Sequence, residues 1–131
     1  MDVRISQLER VLKALADGTR LRILGLLLTG EVCVCHIHES LGIPQPKASR
    51  DLAYLRRAAL VTARREGLWM HYALASSADA VIATIQHAVT HALGHVEAAK
   101  ADAERLKTRS GCCLPAVTGA PVYECCAADR R

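Results

Sequence analysis

Residues 42–74, GIPQPKASRDLAYLRRAALVTARREGLWMHYAL, constrain the fold more than any other part of this chain. A glycine ends one helical pattern, and two prolines, Pro44 and Pro46, open another, because the fixed φ of proline suits a helix's first turn. Leu52 and Leu55 give that helix an apolar face opposite its polar one. LVTARRE and LWMHYAL then flank Gly67 and read as two strands joined by a tight turn. A helix that gives way to a basic hairpin within 33 residues leaves few architectures open.

Upstream, Leu8, Val11, Leu12 and Leu15 keep helical spacing over residues 6–16, with Ser6 and Glu9 placed as a capping box. Asp17 is positioned to cap a second helix that ends near Gly30, and the stretch EVCVCHIHESLG predicts a short third helix ending at Gly42. Downstream, Ser76 and Ser77 are placed to cap one long helix to about Lys107. Its apolar stripe includes Ile82, Ile85, Val89, Leu93, Val96, Ala99 and Leu106. So long a stripe exceeds what one small body can cover, which predicts pairing with a second copy. Residues 108–131 lose periodicity and gain Gly, Pro and Ser, as expected of a flexible tail. One domain, 1–107, and one tail, 108–131, are therefore expected, with a mainly α fold, a small β-hairpin, and a homodimer formed through the first and last helices.

Charge locates a surface. The net charge is +4, and residues 44–67 carry six basic and two acidic side chains, so the whole excess lies there. A basic helix preceded by a short helix and followed by a basic hairpin is a winged helix-turn-helix, and the patch is the footprint of a nucleic-acid reader. Gln45, Lys47, Ser49 and Arg50 fall on the first turn and a half, where side chains reach base edges. Arg64 and Arg65 on the wing are expected to contact phosphates. No apolar run approaches the roughly 20 residues of a membrane span, and the N-terminus lacks a signal peptide's apolar core, so a cytoplasmic protein is expected.

Six cysteines in a reducing compartment point to ligation or sensing rather than to disulfides. Cys33 and Cys35 are separated by one residue; Cys112, Cys113, Cys125 and Cys126 form two adjacent pairs in the tail. In an α-helix, residues two apart point about 200° away from each other, so Cys33 and Cys35 are expected to chelate only if the helix start unwinds. In extended backbone they project to one side. Two buried, packing cysteines are the bland alternative.

ALADGTRLRIL, EVCVCHI, LGIPQPKASRDLAYLRRAALV and RREGLWMHYAL follow in order and spacing the pattern of the ArsR/SmtB family of bacterial metal-sensing repressors, and the chain resembles its arsenic-responsive members over roughly residues 6–107. The resemblance implies a homodimer that represses an operator until a toxic metal or metalloid binds. It puts Cys33 and Cys35 on the first two positions of a C-x-C-x-x-C site and His38 on the third. The family usually has histidine where Asp51 stands and often a serine or threonine at Pro44.

Trivalent arsenic or antimony is the expected inducer, since soft metalloids favour thiolates; either a tail cysteine supplies the third sulfur or each adjacent tail pair forms a site of its own, and two thiols suffice for a monomethyl or aryl arsenical. Zinc, which takes four tetrahedral ligands, is the rival, alongside cadmium or lead. His87, His91 and His95 share one helix face, but the family's zinc pattern is broken because Val81 follows Asp79 at the position expected for histidine. A thiol redox switch and a metal-sequestering module are the other classes considered; the basic helix and wing would be idle in the latter. No spacing positions a catalytic base or a phosphate loop, and no enzyme is expected.

Overall fold

The computed structural model describes residues 3–109. Its elements are α1 (Val3–Leu15), α2 (Gly18–Leu27), β1 (Val32–Cys33), α3 (Val34–Leu41), α4 (Gln45–Arg57), β2 (Val61–Glu66), β3 (Trp69–Leu74), α5 (Ala80–Leu93) and α6 (Glu97–Arg109). Asp17 caps α2 by accepting from the Arg20 amide at 3.0 Å, as its position predicted. Gly42 closes α3 in the left-handed region at φ 68°, a conformation glycine enters without steric cost. Pro44 is the N-cap of α4 and Pro46 lies in its first turn.

Helix α2 is the centre of the molecule. Ile23, Leu24, Leu26 and Leu27 are buried against Ile37 of α3 and Leu52 and Leu55 of α4, with Leu60 closing the layer. The turn Gly42–Pro44 thus joins two helices held to the same core, and α4 keeps Ser49 and Arg50 on its exposed face.

The structure differs from the sequence expectations at four places. The first helix starts at Val3, ahead of the capping box centred on Ser6. The hairpin is part of a three-stranded antiparallel sheet, ordered β1-β3-β2, because Val32 and Cys33 pair with Tyr72 and His71. Asp79 caps the helix expected to start at Ser76 and Ser77: its carboxylate accepts from the Val81 and Ile82 amides at 2.8 and 3.4 Å. Ser77 Oγ accepts from the Asp79 amide at 3.1 Å.

Finally, the long last helix is two helices, broken at Gly94, His95 and Val96. Gly94 is a weak helix former, and the break turns α6 back onto α2 and α3, where Ala99 and Leu106 bury in the same subunit. Only the α5 part of the stripe is left beside α1. Residues 110–131, with all four tail cysteines, lie outside the described residues. No helix among the described residues is long and apolar enough to cross a membrane.

Candidate functional site

Cys33 is the last residue of β1 and the N-cap of α3, with extended backbone at φ −71° and ψ 145°. Cys35 is one step inside the first helical turn. This change of backbone type brings the two sulfurs to 3.1 Å, with each residue only 3% exposed. The expectation that the pair converges only when the helix unwinds is therefore corrected: the strand-to-helix junction already converges it. A sequence reading that extends the helix through Cys33 misses this, because nothing local marks a two-residue strand whose pairing partner lies about forty residues on.

The sulfurs border a cavity of about 180 Å³ whose other walls include Gln45 and Ser49 of α4 and Trp69 and Tyr72 of β3. The cysteine pair, the first turns of the basic helix and the wing therefore share one space. Burial raises the Tyr72 phenol above its ordinary value, opposed by the nearby Arg56. His38 does not line this cavity, and its Nδ1 lies 3.2 Å from the Ile43 carbonyl. Among the described residues no group of three His, Cys, Asp or Glu side chains is placed to hold a metal. His87, His91 and His95 do form a row, with ring centroids 6.4 and 5.2 Å apart, on the exposed side of α5 and its end.

The six residues expected at DNA fall into two groups. Gln45 is half-buried at the cavity rim, while Ser49, Arg50 and Arg65 are exposed. Lys47 and Arg64 are held by carboxylates. Asp51 is buried and lies 3.4 Å from Lys47 Nζ and 3.5 Å from Arg20 Nη1. Arg20 also stacks on the Tyr54 ring at 4.1 Å and donates to the Ala14 carbonyl at 2.7 Å. Asp51, in the place where the family usually has histidine, thus fastens α4 to α2. The Lys47–Asp51 pair was readable from its i,i+4 spacing; the Arg20 partner was not.

Arg64 donates to Glu31 through Nε at 3.1 Å and Nη2 at 2.6 Å, and to Glu66 through Nη1 at 2.9 Å. Hydrogen bonds from Arg64 hold the Glu31 carboxyl below its ordinary value, and the two carboxylates raise Arg64 further. Arg65 donates Nε to the Gly67 carbonyl at 3.3 Å and otherwise faces solvent.

The profile of the "Bacterial regulatory protein, arsR family" matches residues 17–63, which span α2 through the start of β2. The solved homodimeric winged helix-turn-helix DNA-binding domain of a Mycobacterium bovis protein is similar with a TM-score of 0.58 and 36% identity, over 71% of this chain and 83% of that one. This chain belongs to the arsR family. Within that family it is 48% identical over 65 residues to an arsenic resistance transcriptional regulator of Pseudomonas putida, covering 49% of this chain and 51% of the relative. It is 46% identical over 77 residues to the arsenical resistance operon repressor of Escherichia coli K12, covering 58% and 66%. The chain thus spans about half of the first relative and just under two thirds of the second. These arsR-family proteins are regulators of transcription, not enzymes, and the solved one shares the fold described above.

Proposed function

We propose that this protein is a homodimeric, cytoplasmic transcriptional repressor that holds operator DNA through α4 and the β2–β3 wing and is released when trivalent arsenic, or antimony, binds Cys33 and Cys35. The observation that carries the reading is the pair of sulfurs 3.1 Å apart, in a cavity shared with Gln45 and Ser49 of the basic helix and Trp69 of the wing. A ligand that enters there meets the DNA-reading elements and not only its own ligands.

The chemistry of the pair favours a metalloid over zinc. Soft trivalent arsenic favours thiolates, whereas zinc takes four ligands in a tetrahedron, and among the described residues no third His, Cys, Asp or Glu side chain is grouped with this pair. With the cysteines reduced, arsenous acid exchanges each As–O bond for an As–S bond, each thiol proton leaving with a hydroxide as water. Three thiols release three waters and change no oxidation state.

The third sulfur is assigned to Cys112 or Cys113. The described chain ends at Arg109 on α6, which packs along α3. Cys112 follows three residues later, a reach of up to about 10 Å. Cys125 and Cys126 are further along the same tail and serve as a second pair. His38 does not line the cavity that the two sulfurs border and is left out of the set.

Dimer formation is supported by apolar side chains left on the surface where α1 meets α5. Ile5 and Leu12 of α1 are 53% and 47% exposed, Val81 of α5 is 43% exposed, and an open groove runs along Ile5, Leu8, Leu12 and Ala16.

The test is a titration of protein-bound promoter DNA, taken from the chain's own locus, with arsenite, antimonite, zinc and cadmium under reducing conditions. Release by arsenite at low stoichiometry is expected; full occupancy of the DNA in saturating arsenite overturns the assignment.

A further inference from the structure

Wing arginines are expected to reach phosphates, but Arg64 is engaged by two carboxylates, Glu31 and Glu66. The sheet order is β1-β3-β2, and its register sets Cys33 opposite His71 and His71 opposite Arg64. These three residues therefore form one row across the sheet, and directly opposed residues face the same side. The outer strands of such a sheet lie about 9.6 Å apart, too far to pair with each other. Arg64 crosses that gap, above the buried His71, to take both carboxylate oxygens of Glu31 at 3.1 and 2.6 Å. Glu31 stands two residues before Cys33. The remaining guanidinium nitrogen goes to Glu66, whose carboxylate also lies 3.7 Å from His71 Nε2.

We propose that Arg64 is a strut and not a phosphate contact: with Glu31 as its anchor, it ties the wing to the strand that carries Cys33, so that ligation at Cys33 is felt by the wing. The inference rests on the DNA-binding and thiol-ligation reading above. A guanidinium shared by two carboxylates brings no net positive charge to DNA, so Arg64 adds little attraction while the clamp is closed. Arg65, next to it and without a carboxylate partner among the described residues, is left as the wing's cation for DNA. The bidentate geometry fixes the angle between β1 and β2 more tightly than a single bond would. A shift of β1 on metalloid binding therefore moves the wing or opens the clamp. Glu31 and Arg64 act as positioning residues, since neither touches the sulfurs.

The experiment measures DNA affinity against salt, and the factor by which arsenite weakens it, for full-length wild type, Arg64→Gln, Arg65→Gln, Glu31→Gln and Glu66→Gln. Arsenic uptake is counted separately by mass spectrometry. A phosphate contact contributes about 0.9 to the slope of log affinity against log salt. Arg65→Gln is expected to lower the slope by about that amount and Arg64→Gln to leave it unchanged. Glu31→Gln is expected to bind arsenite with wild-type stoichiometry while the release factor falls by about fivefold or more, the low end of an ordinary coupling between sites. Glu66→Gln keeps the link to β1 and should keep the release factor.

A slope lowered by Arg64→Gln as much as by Arg65→Gln overturns the strut. So does an unchanged release factor in Glu31→Gln, with circular dichroism confirming that the variant is folded. Wild type that fails to bind DNA, or is not released by arsenite, fails the parent reading instead, and the two failures are separately visible.

Discussion

The carboxylate of Asp102, with no exposed side-chain surface, accepts from Arg22 Nε at 2.9 Å and from Arg22 Nη2 at 2.7 Å. It also pairs with Arg105 of its own helix. Arg105 Nε donates to the Ser40 carbonyl at 2.7 Å, and Arg22 Nη2 to the Leu41 carbonyl at 3.4 Å. One buried acid thus organises two guanidiniums that satisfy the last carbonyls of α3, a helix end that would otherwise need water or a cap. Hydrogen bonding to Asp102 is also what raises Arg22 above its usual value. The sensor helix is consequently pinned at its C-terminus by α6, while its N-terminus carries Cys35.

Asp102→Ala is expected to destabilise the protein by about 3 kcal/mol in urea unfolding, because it removes the partner of two guanidiniums and leaves a void. The figure stays at the low end for a buried pair because the Arg22 and Arg105 side chains are 36% and 47% exposed and can rehydrate. A loss below about 1 kcal/mol would mean that α6 is held by its apolar contacts alone.

Those apolar contacts have their own test at Gly25. A Cβ built there would stand 3.1 Å from the Ala99 Cβ, closer than most such contacts. Gly25→Ala asks α6 to yield by a few tenths of an ångström, and its helix-propensity gain of about 1 kcal/mol offsets much of that. Gly25→Val adds two more methyl groups and is expected to cost about 2 kcal/mol. Ala99→Gly in the same chain should recover part of the loss, measured as a double-mutant cycle. Independent, additive effects would show that the two helices are not in contact there.

Which parts of this arrangement were legible in the sequence follows from the range of the forces involved. Asp17, Gly42 and the Pro44–Pro46 entry signal locally, through a cap, a left-handed turn and a fixed φ, and each element sits where they indicate. Leu52 and Leu55 show their burial by spacing. The strand at Val32–Cys33 does not, because two residues carry no period and the pairing with His71 and Tyr72 is long-range. The break at Gly94 was hidden by an apolar stripe that continues past it, and what turns α6 back is the fit of Ala99 against Gly25 and of Asp102 against Arg22. The cysteine pair was visible as a C-x-C, but its convergence was not. Charge was visible as a patch, while its partition between exposed Arg50 and Arg65 and the clamped Lys47 and Arg64 depends on Asp51 and Glu31.

Acid should loosen the wing in one direction only. The Glu31 carboxyl is held below its ordinary 4.5, chiefly by hydrogen bonds from Arg64, so its folded value is lower than its unfolded one. Such a group contributes stability that is present above the unfolded value and lost as pH falls through the folded one. Trp69 is the chain's one tryptophan and lies on β3 between the two clamped strands. Its fluorescence is expected to hold steady from neutral pH down to about 4.5 and to change below it. In Glu31→Gln the part of that change due to the clamp should be gone. Asp79, held low mainly by the Val81 amide, loses its cap in a similar acid range, so α5 helicity by circular dichroism is followed alongside to separate the two.

The ligand count is decided by serine substitutions in the tail. Cys33→Ser and Cys35→Ser are each expected to keep DNA binding and lose the arsenite response, since each removes one of two sulfurs held 3.1 Å apart. Cys112→Ser and Cys113→Ser singly should have little effect if either can serve as the third sulfur, and the double variant should weaken arsenite binding markedly. Phenylarsenous acid, with one As–C bond that does not exchange, needs two sulfurs only. It should therefore still release the double variant from DNA. If the double variant responds to arsenite as wild type does, the tail supplies no ligand. If it fails with both arsenicals, the tail acts on α3 itself and not as the third arm of the site.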